Sequence, residues 1–510
     1  MSLDVNKPGL TLGIIGTGAM GRGICQIAAA AGIKVVITDA RPGAAEEAKN
    51  FVADMLAKLV AKQKMTAEAQ QAAVNNIVIA SGEGYRDFAG CDVIVEAIVE
   101  NLEAKRQLFA ALEEVVAENC ILATNTSSLS VTAIAAKCKR PERVAGFHFF
   151  NPVPLMKIVE VAAGVLTAEW VVEALLKLGE RMGHYAARTA DTPGFLVNHA
   201  GRGFGTEALR VVSEGVADFV TVDRLMRDVA GFRMGPFELF DLTGLDVSHP
   251  VMESIYDQFY QEPRFRPSPI TRQRLEAGVL GRKTGRGFYL YEGGQMQTPA
   301  EAPAPQAAPV KVWVSRAEAD GHRAVTELLT KLGADLDNGE RPSAESLCIV
   351  TPLGQDTTTA ALEQGLDPQR TVAVDTLFGL DKRRTLMTNP ATRPELRDAA
   401  HALLARDGVP VSVIRDSAGF VVQRIVATIV NIACEIAQMR IAEPQAINRA
   451  VQLGLGYPFG PLAFGDHLGA KRILRILEAM YAFYGDPRYR PSPWLKRRAL
   501  LGLPLDTPDL

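Results

Sequence analysis

The chain has 510 residues, 47 % of them hydrophobic and 22 % charged, with a formal net charge of −3 and a pI near 6.2. That length predicts about three globular domains, and the charge balance leaves no basic surplus for nucleic acid or anionic lipid, so an anionic ligand has to be held by a local site. Six cysteines without C-x-x-C spacing argue against a zinc or disulfide framework. No metal is expected, and neither a signal peptide nor an apolar run of membrane-spanning length stands out, so the reading is cytoplasmic.

From Leu12 to about Gly164, short apolar runs ("LGII", "KVVITD", "CDVIVEA", "ILATNTS", "VAGFHFF") alternate with helical stretches. Such alternation predicts a mostly parallel sheet with crossover helices. After "LGII" comes "GTGAMGRGI", with Gly16, Gly18 and Gly21 in G-x-G-x-x-G spacing and Ala19 and Met20 between them. Gly16 permits the tight turn, Gly18 admits a pyrophosphate to the backbone, and Gly21 allows helix and strand to pack closely, while the helix N-terminus offers free N–H groups. Asp39 ends the next strand, where a carboxylate accepts from a ribose 2′-OH and repels a 2′-phosphate. NAD is therefore favoured, and Arg41 leaves NADP as the lesser alternative. Residues 44–74 are long enough for two helices, an excursion from the sheet.

His148 lies in "VAGFHFFNPVPLMKIVEV", near a strand end, with Asn151 three residues later. Strand ends carry the ligands of doubly wound folds, although a histidine among phenylalanines is also an ordinary core residue. A carboxylate after "DVIVEAIVE" suits the role of orienting its imidazole; periodicity does not choose between Glu96 and Glu100. From Thr192 to about Glu276 amphipathic helices replace strands. The Pro- and Ala-rich stretch 293–310 reads as an extended linker. Weaker strand signals fill 311–415, and helices return to the end of the chain.

The second helical stretch repeats the first. "DTPGFLVN" (191–198) returns as "DSAGFVVQ" (416–423) and "MGPFELFD" (234–241) as "FGPLAFGD" (459–466), both 225 residues later; "PRFRPSP" (263–269) returns as "PRYRPSP" (487–493). This is a domain duplication rather than a solenoid. The copies differ where chemistry is expected: among the second-half strands there is no glycine triplet and no histidine answering His148, and Gln423 replaces Asn198. The expected organisation is a Rossmann-type doubly wound α/β domain (1–190), an all-α domain (191–291), the linker (292–310), a degenerate α/β lobe (311–415) and a repeated all-α domain (416–510).

In this order, "GTGAMGRGI", "VEAIVENLEAK", "TNTSSLS", "FHFFNPVPLMKIVEV", "DTPGFLVN", "GPFELFDLTGLD" and "RKTGRGFY" resemble the 3-hydroxyacyl-CoA dehydrogenase family over Leu12–Tyr291. The length and duplication resemble its long bacterial members, acting on 3-hydroxyadipyl-CoA or 3-hydroxybutyryl-CoA. The resemblance implies NAD as cofactor, acyl-CoA as substrate, His148 as catalytic base and Glu100 as its paired carboxylate. It further implies that Ser127 and Asn198 lie near the substrate 3-oxygen and that Glu100, Ser127, Lys105, Asn151 and Lys283 lie on the cofactor side. Lys62 corresponds to a lysine at the CoA phosphates, but Met55 stands where the family has a serine. Arg202, one helical turn past Asn198, is a candidate cation for a terminal carboxylate, with a structural ion pair to Glu207 equally open. Plainer roles are also open: Ser127 and Asn198 as helix caps, Lys58 and Lys62 as a solvated i, i+4 face, Lys105 and Lys283 as surface charges. Two other functions fit the dinucleotide fingerprint: an NAD-dependent dehydrogenase of a non-CoA β-hydroxyacid, and a non-catalytic NAD-binding sensor. A homo-oligomer is compatible with the sequence, and in single-copy relatives the helical domain commonly forms the dimer contact, so residues 417–510 are expected to pack on the first copy as an internal pseudo-dimer.

Overall fold

The structure, a computed structural model, describes residues 2–82 and 84–509. Eight strands form the first sheet: β1 (Thr11–Ile15), β2 (Lys34–Thr38), β3 (Ile77–Ile79), β4 (Val93–Glu96), β5 (Ile121–Thr124), β6 (Val144–Phe149), β7 (Ile158–Ala163) and β8 (Tyr185–Ala190). Their order is β3-β2-β1-β4-β5-β6-β7-β8, parallel except for the antiparallel β6–β7 pair. β4, β5 and β6 are buried along their whole length because helices cover both faces, which is why they read as continuous apolar runs rather than alternating ones. The chain leaves β1 on one side and resumes at β4 on the other, a switch point of the kind at which doubly wound sheets bind ligands. The excursion 44–74 is two helices, Ala44–Ala61 and Ala67–Asn75, the second capped by Thr66.

Two compact units divide the chain: one up to His199 together with Met439–Leu455, the other Ala200–Gln438 together with the stretch from Gly456 onward. In the first unit, helix Pro444–Leu455 of the second repeat lies on β7 and β8. Ile441 O accepts from Ala190 N at 2.8 Å. A Cβ on Gly454 would stand 2.8 Å from Val197 Cγ1, so only glycine allows the approach.

In the second unit, helix Arg202–Ser213 packs on helix Val422–Gln438. A Cβ on Gly203 would lie 3.2 Å from the Ile429 backbone. The buried Glu207 carboxylate accepts from Arg424 Nη2 (2.7 Å), Arg488 Nη1 (3.1 Å) and Tyr489 Oη (2.8 Å), so the two repeats share a core, and Glu207 is taken up here rather than by Arg202. The expected linker begins with a hairpin, β9 (Leu290–Glu292) and β10 (Gln295–Gln297). Gly293 and Gly294 turn it with φ of 56° and 78°, as a two-residue type I′ loop requires. Further along, Glu301 pairs with Arg383.

A five-stranded sheet follows: β11 (Val312–Val314), β12 (Leu347–Val350), β13 (Thr371–Val374), β14 (Arg384–Thr388) and β15 (Val411–Arg415), parallel except for β13–β14. This is the pattern of β4 to β8. The second lobe keeps that half of the sheet, and among the described residues it has no counterpart of β1 to β3.

The repeated motifs hold architecture in both copies. Asp191 accepts from Ser130 Oγ and from Val131 N and Thr132 N at a helix start, as Asp416 accepts from Thr357 N and Thr358 N. Asp241 holds Phe288 N and Tyr289 N, and Asp466 holds Leu505 N.

Candidate active site

Gly16, just past β1, has φ of 93°, and a Cβ there would lie 2.5 Å from Ala97 O. Gly21 faces the Gly16 carbonyl just as closely, whereas a Cβ on Gly18 would meet nothing within 4 Å. Gly16 and Gly21 therefore satisfy packing, and Gly18 opens the approach to the start of helix Ala19–Ala30, which has no side-chain cap. Asp39 at the end of β2 accepts from Thr17 N at 2.6 Å and Arg41 N at 2.9 Å. Burial opposes its ionisation, but these bonds hold it below the usual carboxylate range. Arg41 is engaged by Glu47 at 2.5 Å. The loop, the open Gly18 and an ionised carboxylate fit an adenine dinucleotide without a 2′-phosphate.

His148 stands directly across the β6–β7 ladder from Glu160, its Nδ1 2.6 Å from Glu160 Oε2. Both are buried, Glu160 completely. A carboxylate accepts, so Nδ1 carries the bonding proton, and in the neutral imidazole the lone pair is then on Nε2. Glu160 Oε1 accepts from Leu196 N (3.0 Å) and Val197 N (2.7 Å), which ties the dyad to helix Val197–Ala200 and half-buried Asn198. The Phe150 ring lies 4.4 Å from the imidazole.

The expected pairing of His148 with Glu100 is corrected by this geometry. Glu100 Oε1 accepts from Thr126 Oγ1 (2.6 Å), Ser127 N (3.0 Å) and Ser128 N (3.1 Å), because it follows β4 and therefore faces the loop after the neighbouring β5. Burial disfavours its charge, but the Thr126 hydroxyl and the Lys105 ammonium, 3.3 Å away, outweigh that and hold it below the usual range. Lys105 is no surface charge: its side chain is 1 % exposed and donates to Glu96 at 2.6 Å. Ser127 does not cap a helix, since Ser130 caps helix Val131–Ala135. Asn125 Oδ1 accepts from Phe149 N at 2.8 Å, joining the β5 loop to the end of β6.

The C-terminal ends of β1, β4, β5 and β6 thus carry the glycine loop, Glu100, Ser127 and His148 along one edge of adjacent parallel strands. Asn151 is exposed just past β6, and Lys62 is exposed at the end of helix Ala44–Ala61. Arg202 and Lys283 belong to the second unit. Burial lowers the Arg202 guanidinium to about 10, with Tyr457 opposing, and Lys283 pairs with Asp246 at 2.5 Å. Glu160 escaped the sequence reading; its signal was a lone carboxylate inside "KIVEVAA", a strand buried on both faces.

Among the described residues no helix is long and apolar enough to cross a membrane, and no group of three or more His, Cys, Asp or Glu is placed to hold a metal. Residues 11–192 match the 3-hydroxyacyl-CoA dehydrogenase NAD binding domain, and residues 194–291 and again 419–504 match the C-terminal domain of that family. The 3-hydroxyadipyl-CoA dehydrogenase of Escherichia coli (strain K12) is 38 % identical over 96 % of this chain and 98 % of its own. The 3-hydroxybutyryl-CoA dehydrogenase of Bradyrhizobium diazoefficiens is 39 % identical over 56 % of this chain and 96 % of its own. A crystal structure titled 3-hydroxybutyryl-CoA dehydrogenase, from Escherichia coli K12, superposes with a TM-score of 0.84 at 36 % identity, covering 97 % of this chain and 99 % of that one. A dinucleotide loop beside a buried His–Glu dyad, followed by a helical domain present twice, is thus accounted for: the chain belongs to the 3-hydroxyacyl-CoA dehydrogenase family and is an NAD-dependent enzyme of that kind.

Proposed function

We propose that the enzyme oxidises (3S)-3-hydroxyacyl-CoA to 3-oxoacyl-CoA with His148 as general base and Glu160 as its orienting carboxylate. The observation that carries this reading is the 2.6 Å contact between His148 Nδ1 and Glu160 Oε2. It leaves Nε2 to take the C3 hydroxyl proton as the C–O bond becomes a carbonyl and hydride leaves C3. Bound NAD supplies the hydride acceptor. Glu160 stabilises the imidazolium that forms and keeps the tautomer in which Nε2 is basic. Ser127 and Asn198 donate to the oxygen as it becomes a carbonyl, and they bind it again as the oxyanion of the reverse reaction. Asp39 takes the adenosine ribose, Glu100 and Asn151 the nicotinamide side, and exposed Lys62 the CoA phosphates.

The preferred acyl group is 3-hydroxyadipyl. Support comes from a relative that matches nearly the whole chain and carries that name; Arg202, four residues past Asn198 in the sequence, is the candidate cation for a terminal carboxylate. The test compares kcat/KM for 3-hydroxyadipyl-CoA and 3-hydroxybutyryl-CoA in wild type and Arg202→Ala, with the free hydroxy acids alongside. A preference for the adipyl substrate that Arg202→Ala abolishes is expected. Equal selectivity in the two proteins removes Arg202 from the site, and turnover of the free acid favours a non-CoA substrate.

A further inference from the structure

Beneath the cofactor edge lies a buried network that the proton chemistry does not use. Glu96, the last residue of β4, is 0 % exposed and accepts from Lys105 Nζ (2.6 Å), Thr124 Oγ1 (2.7 Å) and Ile98 N (2.8 Å). Lys105 reaches Glu100 with the same ammonium. Glu100 in turn gathers the Thr126 hydroxyl and the amides of Ser127 and Ser128 on one oxygen. The result is a line of alternating charge, Glu96 to Lys105 to Glu100, ending on the turn that carries Ser127.

Stability does not account for it. A buried ion pair recovers about as much in attraction as it loses in desolvation, and apolar replacement is often neutral or better. The second lobe makes the same point within this molecule. By ladder register, Ser315 holds the place of Glu96 and Val350 that of Thr124, and the Thr126–Ser128 turn becomes Pro352, Leu353 and Gly354. That lobe still forms its strands in the same order, and it keeps the architectural bonds of Asp416 that match those of Asp191. The residues lost with the network are those the reaction needs: Asp375 holds the ladder place of His148, and Gln423 that of Asn198. Architecture survives duplication without the charges; the site does not.

We propose that Glu96 is a positioning residue for the hydride-transfer site, acting through Lys105 and Glu100 to fix the Thr126–Ser128 turn and hence the Ser127 hydroxyl. This rests on the reading of Ser127 as a donor to the substrate 3-oxygen. Lys105, with its ammonium committed to two carboxylates, serves the site from below.

The test uses the full chain with acetoacetyl-CoA and NADH, and five variants: Glu96→Gln, which keeps the hydrogen-bond capacity and loses the charge; Glu96→Gln/Lys105→Met, which removes both buried charges together; Ser127→Ala alone; the double change combined with Ser127→Ala; and His148→Ala. The double variant should lose about 10- to 100-fold in kcat, the scale of a misplaced catalytic group, with Tm near wild type. Glu96→Gln alone should lose kcat in the same direction. Adding Ser127→Ala should cost little beyond Ser127→Ala by itself, because the network acts through that serine. Wild-type kcat in either Glu96 variant overturns the proposal, and so does a fully multiplicative loss in the triple variant. Wild-type turnover in His148→Ala overturns the reading of the site and this proposal with it; an inactive His148→Ala beside a fully active double variant overturns the proposal alone.

Discussion

One carboxylate, Glu160, holds the base with one oxygen and the start of the helix bearing Asn198 with the other: Oε2 lies 2.6 Å from His148 Nδ1, and Oε1 accepts from Val197 N at 2.7 Å. Glu160→Gln therefore has a specific consequence. The amide oxygen still serves the backbone N–H groups, so its NH2 turns to His148 and donates to Nδ1. That forces the tautomer in which Nε2 carries the proton and cannot act as base. Turnover should fall by at least about 10²-fold, as when the carboxylate of an acid–base triad is made neutral, while NADH titrated by fluorescence still binds. A loss confined to KM would argue against the orienting role.

The mistaken partner shows which parts of this molecule a sequence discloses. The glycine loop, its strand and helix, and Asp39 are local features, and their spacing alone marks them. His148 and Glu160 are partners only because β6 and β7 run antiparallel in a sheet whose pattern reads as parallel. A histidine facing a carboxylate twelve residues on is a fact of register, whereas Glu100 stood out because it follows a strand end. A surface charge stood open as the plainer role of Lys105 because helical periodicity does not reveal that Glu96 lies beneath it. Helix Pro444–Leu455 falls in the first unit although the repeat places it in the second domain, since sequence repetition records ancestry and packing records contact.

Asp223 should make stability depend on pH. It is fully buried and holds Phe237 N and Glu238 N at the start of helix Pro236–Thr243, and burial raises it from 3.8 to about 7 despite those bonds. Between these values the folded state keeps a proton that the unfolded chain has released, so this group's contribution is fully present below 3.8 and is lost as pH rises towards 7. The slope approaches about 1.4 kcal/mol per pH unit at most. In urea denaturation, Asp223→Asn should gain on wild type from pH 4 to pH 8, and a pH-independent difference between the two would show that Asp223 is ionised throughout.

Arg424 is the keystone of the shared helical core. It is fully buried and bonds Glu207, Glu214, Tyr489 and Ser417. Arg424→Met leaves the Glu207 carboxylate short of its main cation, and removing one partner of a buried pair costs about 3–5 kcal/mol. Glu207→Gln in the same chain should restore part of that, because no uncompensated charge then remains. Equilibrium denaturation of the two singles and the double provides the cycle; purely additive losses would mean that the pair is not coupled.

The second lobe should bind no dinucleotide, so the chain should take up a single equivalent of NADH. Among the described residues it has no counterpart of β1 and its glycine loop, and the places of the catalytic groups are filled. Gln423 donates to Asp375 Oδ1 at 2.9 Å and accepts from Gly354 N at 2.8 Å. Gly354 has φ of 83°, and a Cβ there would lie 2.7 Å from Ile476 Cα, so helix Ala470–Tyr484 closes directly over that edge. Burial raises the Asp375 carboxyl, and its bond from the Gln423 amide commits it to packing. Calorimetric titration of the full chain should therefore give a stoichiometry of one NADH. Gly16→Val, which blocks the one G-x-G-x-x-G triplet that follows a strand among the described residues, should abolish that binding altogether. Two equivalents in wild type, or one surviving in Gly16→Val, would mean that the second lobe has kept a nucleotide site.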